Sequence, residues 1–224
     1  MCSSDLVKRA EKAGSPVVVV TVDRLGGRNQ ETFLRLRRTD ARECKACHSS
    51  DLQESVKRKP AYSGIDLKGL TNTQSANMTW DFIKRLRGTT KMKIVIKGIL
   101  TAEDAKLCVE NGVDGLVVSN HGGRGEDSGR ATIDVLPEVV DAVQGRILVL
   151  IDGGFRRGTD IAKALAMGAN AVGIGRPYLW GLGAFGEPGV AKVLEILRTE
   201  TRVAMMQCGV RTVKEFTPAF VRRV

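Results

Sequence analysis

The stretch "RILVLIDGGFRRGTDIAKALAMGANAVGIGRP" (residues 146–177) decides how the rest of the chain is read. It opens with an apolar run that ends on Asp152, two glycines and two arginines. The next segment, "GTDIAKALAMG" (158–168), carries Ala and Leu at helical spacing and closes on Gly168. A second apolar run, "NAVGIGRP" (170–177), then ends on glycine and arginine again. Strand, polar turn, helix, strand and polar turn make a βα repeat. The apolar runs are continuous rather than alternating, as expected for strands buried on both faces of a parallel sheet.

Upstream the unit recurs. The runs "PVVVVTVD" (16–23), "KIVIKG" (93–98) and "DGLVVSN" (114–120) read as further strands. Between them, "TAEDAKLCVENG" (101–112) has Thr101 as N-cap and Gly112 as terminator, and "IDVLPEVVDAVQG" (133–145) repeats the helical pattern. Such units build either a doubly wound sheet or a closed barrel, and the placement of polar residues chooses between them. Each strand carries chemistry at its C-terminal end: Thr21 and Asp23, Lys97, Ser119 and His121, Asp152 with Gly153 and Gly154, Gly175 and Arg176. Convergence of all strand ends on one site is the habit of the barrel. The expected fold is α/β, an incomplete TIM (β/α)8 barrel with about the last five βα units present, the chain beginning about three strands late.

Two segments stand outside the repeat. Residues 24–78 read as a long, basic, polar connection without clear secondary structure, before a helix over 78–88. The tail from Glu187 reads as a long helix followed by a short one, "TVKEFTPAFVRR" (212–223).

Composition narrows the partners. The chain has 224 residues and a formal charge of +10, but Lys and Arg are spread along it instead of forming one basic tract with interleaved aromatics, so no nucleic-acid partner is expected. No apolar run is long enough for a membrane span and no export signal is visible, which favours a cytoplasmic location. The five cysteines (2, 44, 47, 108 and 208) do not form a disulfide framework. "CKACH" (44–48) has the spacing of covalent haem attachment, with a disulfide or metal at Cys44 and Cys47 as a second reading and two unligated thiols as the default; no metal site is expected.

The glycines and arginines after the last two strands suit an anion: bare backbone N–H groups approach it closely, and Arg156 and Arg176 offer paired planar donors to phosphate oxygens. In "VVSNHGGR" (117–124), Ser119 and His121 lie two residues apart and so share a face of the strand, with Arg124 beyond a Gly-Gly turn. A histidine takes up a proton near neutral pH and an arginine fixes a carboxylate, so the pair describes a site that holds and deprotonates a small acid. Lys97 admits two readings, a Schiff-base nucleophile or a fixed positive charge.

"IVIKGILTAEDA", "GLVVSNHGGR", "VLIDGGFRRGTDIAKALAMGANAVGIGRP" and the early "TVD" together resemble the FMN-dependent 2-hydroxy acid oxidase and dehydrogenase family, which includes glycolate oxidase, lactate oxidase, mandelate dehydrogenase and flavocytochrome b2. The likeness runs from about residue 7 to the C-terminus, is dense over 93–177 and weak over 29–75. It implies that residues 1–224 are the C-terminal part of a single FMN-binding barrel domain with a basic insertion at about 24–78, oxidising an L-2-hydroxy acid of lactate, glycolate or mandelate type. His121 is then the catalytic base and Arg124 holds the substrate carboxylate. Arg28 serves as the second carboxylate ligand if two residues are deleted from the turn "DRLGGR". The FMN ligands implied are Thr21, Lys97 beside the flavin, Ser119, Asp152, Gly153, Gly154, Phe155, Arg156, Gly175 and Arg176. Asp152 is also expected to orient His121. The resemblance further implies a homo-oligomer, a tetramer when full length, and peripheral membrane contact through 24–78.

The chain departs from the family upstream of "TVD", where a substrate-contacting tyrosine and several flavin-wrapping strand ends belong; neither Tyr62 nor Tyr178 stands where a replacement would. Alternative readings are an inactive truncated fragment, a membrane- or partner-binding role for 24–78, or another phosphate-binding barrel such as a flavin-dependent isomerase. The chain as it stands is expected to bind FMN weakly or not at all. Purification should give colourless protein, and stoichiometric yellow flavin would overturn this expectation.

Overall fold

In a computed structural model of the protein, residues 2–24, 31–41, 51–68, 78–125 and 129–222 are described. The chain divides into two compact units, Met1–Val18 with Arg24–Lys93, and Val19–Asp23 with Ile94–Val224.

The first unit is helical. It contains α1 (Cys2–Lys12), α2 (Glu31–Arg37), α3 (Leu52–Lys57), a 3-10 turn at Pro60–Tyr62 and α4 (Trp80–Thr89). The expectation that 24–78 lacks secondary structure is therefore corrected. Its helices are short and charged and show no long apolar period, although Asp51 caps α3 by accepting the backbone N–H of Glu54 at 2.8 Å. Arg9 of α1 donates to the carbonyls of Ala61 and Ser63 at 2.9 and 2.7 Å. Glu11 accepts the N–H of Lys91 at 2.7 Å, a bond that holds its carboxyl below the usual range. Cys44, Cys47 and His48 lie outside the described residues.

The second unit is built on a parallel sheet of five strands in sequence order: β1 (Val17–Thr21), β2 (Lys93–Ile99), β3 (Gly115–Val118), β4 (Leu148–Ile151) and β5 (Ala171–Val172). The first residues of β1 and β2 belong to the other unit. Sequential order without reversal is that of a barrel and not of a doubly wound sheet, so the strands are an incomplete (β/α)8 barrel of five βα units. In register, Lys97 stands opposite Val117 and Val118 opposite Ile151. The ladder between β2 and β3 slips at Gly98, whose φ of +114° suits only glycine. Ile94, Ile96, Leu116, Val118 and Ile151 are buried, but Val19 of β1 and Leu148 of β4 are exposed, so the expected burial of every strand on both faces is corrected.

Helices α5 (Ala102–Glu110), α6 (Thr132–Val143) and α7 (Gly158–Ala166) fill the connections as expected. Thr101 caps α5, accepting the N–H of Asp104 at 3.1 Å. On α6, Val135, Leu136, Val139 and Val143 form one buried face at helical spacing. Helix α8 (Arg176–Cys208) begins at the last glycine-arginine turn and is broken at Gly186, so the helix expected from Glu187 is its second half. That half docks onto the start of α7. The Glu200 carboxylate accepts Nε of Arg157 at 2.9 Å and the N–H of Gly158 at 2.8 Å, and the Arg157 guanidinium holds its pKa below the usual range. A Cβ on Gly158 would overlap the backbone at Glu200 and Thr201.

The expected short C-terminal helix is instead two 3-10 turns, Val213–Glu215 and Pro218–Phe220. Pro218 lacks an N–H and disfavours a helical residue before it, which stops an α-helix from forming.

Burial, and secondarily the Asp104 carboxylate, push the Cys108 thiol up to about 12, whereas Cys208 is exposed. Iodoacetamide under mildly alkaline native conditions should therefore alkylate the Cys208 peptide and spare the Cys108 peptide until denaturant is added. Peptide mass spectrometry checks this.

Candidate active site

An ion pair and a histidine–carboxylate hydrogen bond meet at the C-terminal ends of the strands. Lys97, near the end of β2, reaches across the neighbouring strand, donating to the Ser119 hydroxyl at 2.7 Å and pairing with Oδ2 of Asp152 at 3.2 Å. Asp152 follows β4, its backbone N–H bonded to the Val118 carbonyl. Its other carboxylate oxygen, Oδ1, is buried and has no hydrogen-bond partner among the described residues. Such an atom calls for a donor from outside the chain.

The second pair is formed by His121 and Asp23. Nδ1 of the imidazole lies 3.1 and 3.3 Å from the two Asp23 oxygens, and the Asp23 side chain is only 4% exposed. This corrects the expectation that Asp152 orients His121: Asp152 is engaged by Lys97, and the carboxylate on the imidazole comes from the far end of β1. The strand-face argument for Ser119 and His121 also fails, because β3 ends at Val118. His121 instead adopts the left-handed conformation (φ 58°), followed by Gly122 and Gly123 at 69° and 72°. The Asn120 side chain holds this turn, accepting the N–H groups of Gly122 and Gly123 at 3.0 and 3.1 Å. The His121 N–H donates to the Ser119 hydroxyl at 3.1 Å, so one fully buried oxygen serves both Lys97 and the His121 backbone.

At the other end, Gly153 and Gly154 turn the chain with φ of +98° and +83°. A side chain at Gly153 would press on the Thr132 hydroxyl. Gly175 precedes α8, and Arg176 in its first turn donates to the Gly122 carbonyl at 3.0 Å. The Arg156 guanidinium lies 5.3 Å from the centre of the Trp180 ring. A cleft of about 340 Å³ is lined by Lys97, His121, Arg124, Asp152, Arg156 and Arg176, together with Gly153, Gly154, Phe155 and Gly175. Thr21 at the end of β1 and the buried Ser119 do not line it. Arg28 lies outside the described residues.

Four cations face one carboxylate pair member in this cleft, beside backbone turns of bare glycine and the start of a helix. The donor set suits an anion at the Gly154, Arg156 and Arg176 end, and the partnerless Asp152 oxygen and Lys97 suit a polar ring at the other. Asp23, Asn120 and Thr132 are the residues that sequence reasoning did not assign. Of these, Asp23 carried a visible signal as a carboxylate ending an apolar strand.

The model of the family of FMN-dependent dehydrogenases matches residues 2–223. The chain belongs to this family. Mouse (Mus musculus) 2-hydroxyacid oxidase 1 is 45% identical over 223 residues, covering 99% of this chain and 60% of the relative. The peroxisomal (S)-2-hydroxyacid oxidase GLO3 of Arabidopsis thaliana is 45% identical over 222 residues, covering 98% and 60%. Among solved structures, a soluble mutant of the membrane-associated (S)-mandelate dehydrogenase from Pseudomonas putida superposes with a TM-score of 0.85 at 34% identity, over 100% of this chain and 62% of that one. A mandelate oxidase variant with (S)-mandelic acid gives 0.77 at 38% identity, over 94% and 56%. The chain thus spans about 60% of the length of the curated relatives it matches.

Lys97→Met should leave Asp152 as a part-buried carboxylate with neither oxygen paired. The expected loss is about 1–3 kcal/mol of unfolding free energy, largely recovered by adding Asp152→Asn, as read by urea denaturation.

Proposed function

We propose that the protein is an FMN-dependent oxidoreductase that converts an L-2-hydroxy acid of lactate, glycolate or mandelate type to the 2-oxo acid. The reading rests on one observation above others: His121, clamped at Nδ1 by Asp23, shares a cleft with Arg124 and with the Lys97–Asp152 pair. With Nδ1–H directed at Asp23, the neutral ring offers the Nε2 lone pair, and Nε2 takes a proton from the CH–OH centre of the substrate. The negative charge of Asp23 then stabilises the imidazolium. Arg124, which has no partner among the described residues, binds the substrate carboxylate through two N–H groups; Arg28 is its proposed companion.

FMN, when bound, accepts the two electrons that leave the substrate. The backbone of Gly153 and Gly154 with Phe155, Arg156, Gly175 and Arg176 would hold its phosphate and ribityl chain, and Thr21, Ser119 and Asp152 its polar edges. Lys97 supplies fixed positive charge beside the ring, so its Schiff-base reading is set aside: its ammonium is already taken up by Ser119 and Asp152.

The partner class is a small-molecule 2-hydroxy acid. A homo-oligomer and peripheral membrane contact through 24–78 remain part of the proposal. No helix among the described residues is long and apolar enough to cross a membrane. With a relative named as peroxisomal, the family is not confined to the cytoplasm.

The complete protein, reconstituted with FMN, should lose its flavin absorbance on anaerobic addition of (S)-lactate, glycolate or (S)-mandelate, with one 2-oxo acid formed per flavin bleached. His121→Gln should slow bleaching by roughly 10²-fold or more. Absence of bleaching by all three with FMN bound would sink the proposal.

A further inference from the structure

Two glycines meet at Asp23. Gly98 sits where the β2 ladder slips; a Cβ built there would lie 2.8 Å from Cβ of Asp23 and 3.1 Å from its Cγ. On the loop beyond Arg124, a Cβ on Gly125 would lie 2.6 Å from the Asp23 carbonyl oxygen and 3.4 Å from both Cγ and Oδ2. Gly98 also has a positive φ, so its identity has two explanations. Gly125 does not, and only lack of space accounts for glycine there.

We propose that Gly98 and Gly125 are positioning residues for the oxidation: their bare backbones close on Asp23 from two sides and keep its carboxylate on Nδ1 of His121. The inference rests on the reading of His121 as the base. An aspartate has a short stem with two torsions, and in water its carboxylate turns freely. Here the stem is bounded by Gly98, the carbonyl and carboxylate by Gly125, and the imidazole closes the remaining side with both oxygens within 3.3 Å. A methyl group at position 125 would lie 2.6 Å from the Asp23 carbonyl oxygen, a backbone atom that cannot swing aside, so the Asp23 backbone must shift and carry its carboxylate with it. Its contact with Nδ1 is the bond this shift breaks, since Asp23 is the hydrogen-bond partner of Nδ1 among the described residues. The other charged groups lining the cleft are Lys97 on β2, Arg124 on the same turn as His121, Asp152 after β4, Arg156 beyond it and Arg176 in α8, and Nδ1 bonds to Asp23.

The chain has two histidines, so His48→Gln leaves His121 as the single imidazole to be read. With ¹⁵N-labelled histidine in alkaline buffer, long-range ¹H–¹⁵N spectra report which ring nitrogen carries the proton. The parent chain should hold the Nδ1–H form. Gly125→Ala should turn the ring to the Nε2–H form that a free imidazole prefers, Asp23→Asn should do the same, and combining the two should change nothing further. Gly183→Ala, at a helical glycine with open space around it, should leave the spectrum as in the parent. Retention of the Nδ1–H form in Gly125→Ala overturns the proposal. If that variant fails to fold, Asp23→Glu with both glycines kept takes its place, because the same enclosure has no room for one more methylene. Here too a retained Nδ1–H form overturns it. In the complete enzyme with FMN, Gly125→Ala should lower kcat by roughly 10-fold to 100-fold at a KM changed less than about twofold. A switched ring with unchanged kcat would refute His121 as the base, while an unswitched ring refutes the enclosure itself.

Discussion

Charge survives at the end of a buried strand only where another charge or a hydrogen bond meets it. That constraint organises the rim of this sheet. Lys97 lies near the end of one apolar strand and is met by Asp152 and Ser119; Asp23 follows another and is met by His121. The Ser119 hydroxyl, fully buried, accepts from both the Lys97 ammonium and the His121 backbone, so the two pairs share one fixed point. Remove the pairing and the strand ends could not remain polar. Remove Ser119 and the two pairs would have no common anchor.

The same rim explains why glycine recurs. Gly98 and Gly125 leave room for Asp23, and Gly153 leaves room for the Thr132 hydroxyl, which in turn holds the Asp152 carbonyl at 2.7 Å. Side-chain chemistry is dense here because the backbone has been thinned. The helices behind the rim do the opposite: α6 and α7 present continuous apolar faces, and Glu200 fastens the second half of α8 to the N-terminus of α7.

The βα repeat was readable from continuous apolar runs such as 147–151, although in β4 only Val149 and Ile151 are buried and Leu148 is exposed. Thr101 and Gly168 marked helix ends through local chemistry, and they stand where the sequence placed them. The cleft residues Lys97, Arg124, Asp152 and Arg176 were also found, since charges after apolar runs are conspicuous. What sequence did not yield is the pairing. His121 and Asp23 are 98 residues apart, and choosing between two carboxylates needs the neighbours of β1 and the reach of Lys97. The left-handed turn at His121 was hidden as well, for it depends on the Asn120 side chain folding back on Gly122 and Gly123. Helices α2 and α3 went unread because short charged helices lack the apolar stripe that announces longer ones.

The contact between Arg176 and Gly122 binds two turns more than 50 residues apart in sequence. A Cβ at position 122 would sit 2.9 Å from Nη2 of that arginine, at the atom that already grips the carbonyl. Substitutions at these two positions are therefore not independent: a larger residue at 122 moves the Arg176 guanidinium off the carbonyl it holds. The imidazole loop grafted into another scaffold without the last turn would leave the Gly122 carbonyl without the guanidinium that holds it.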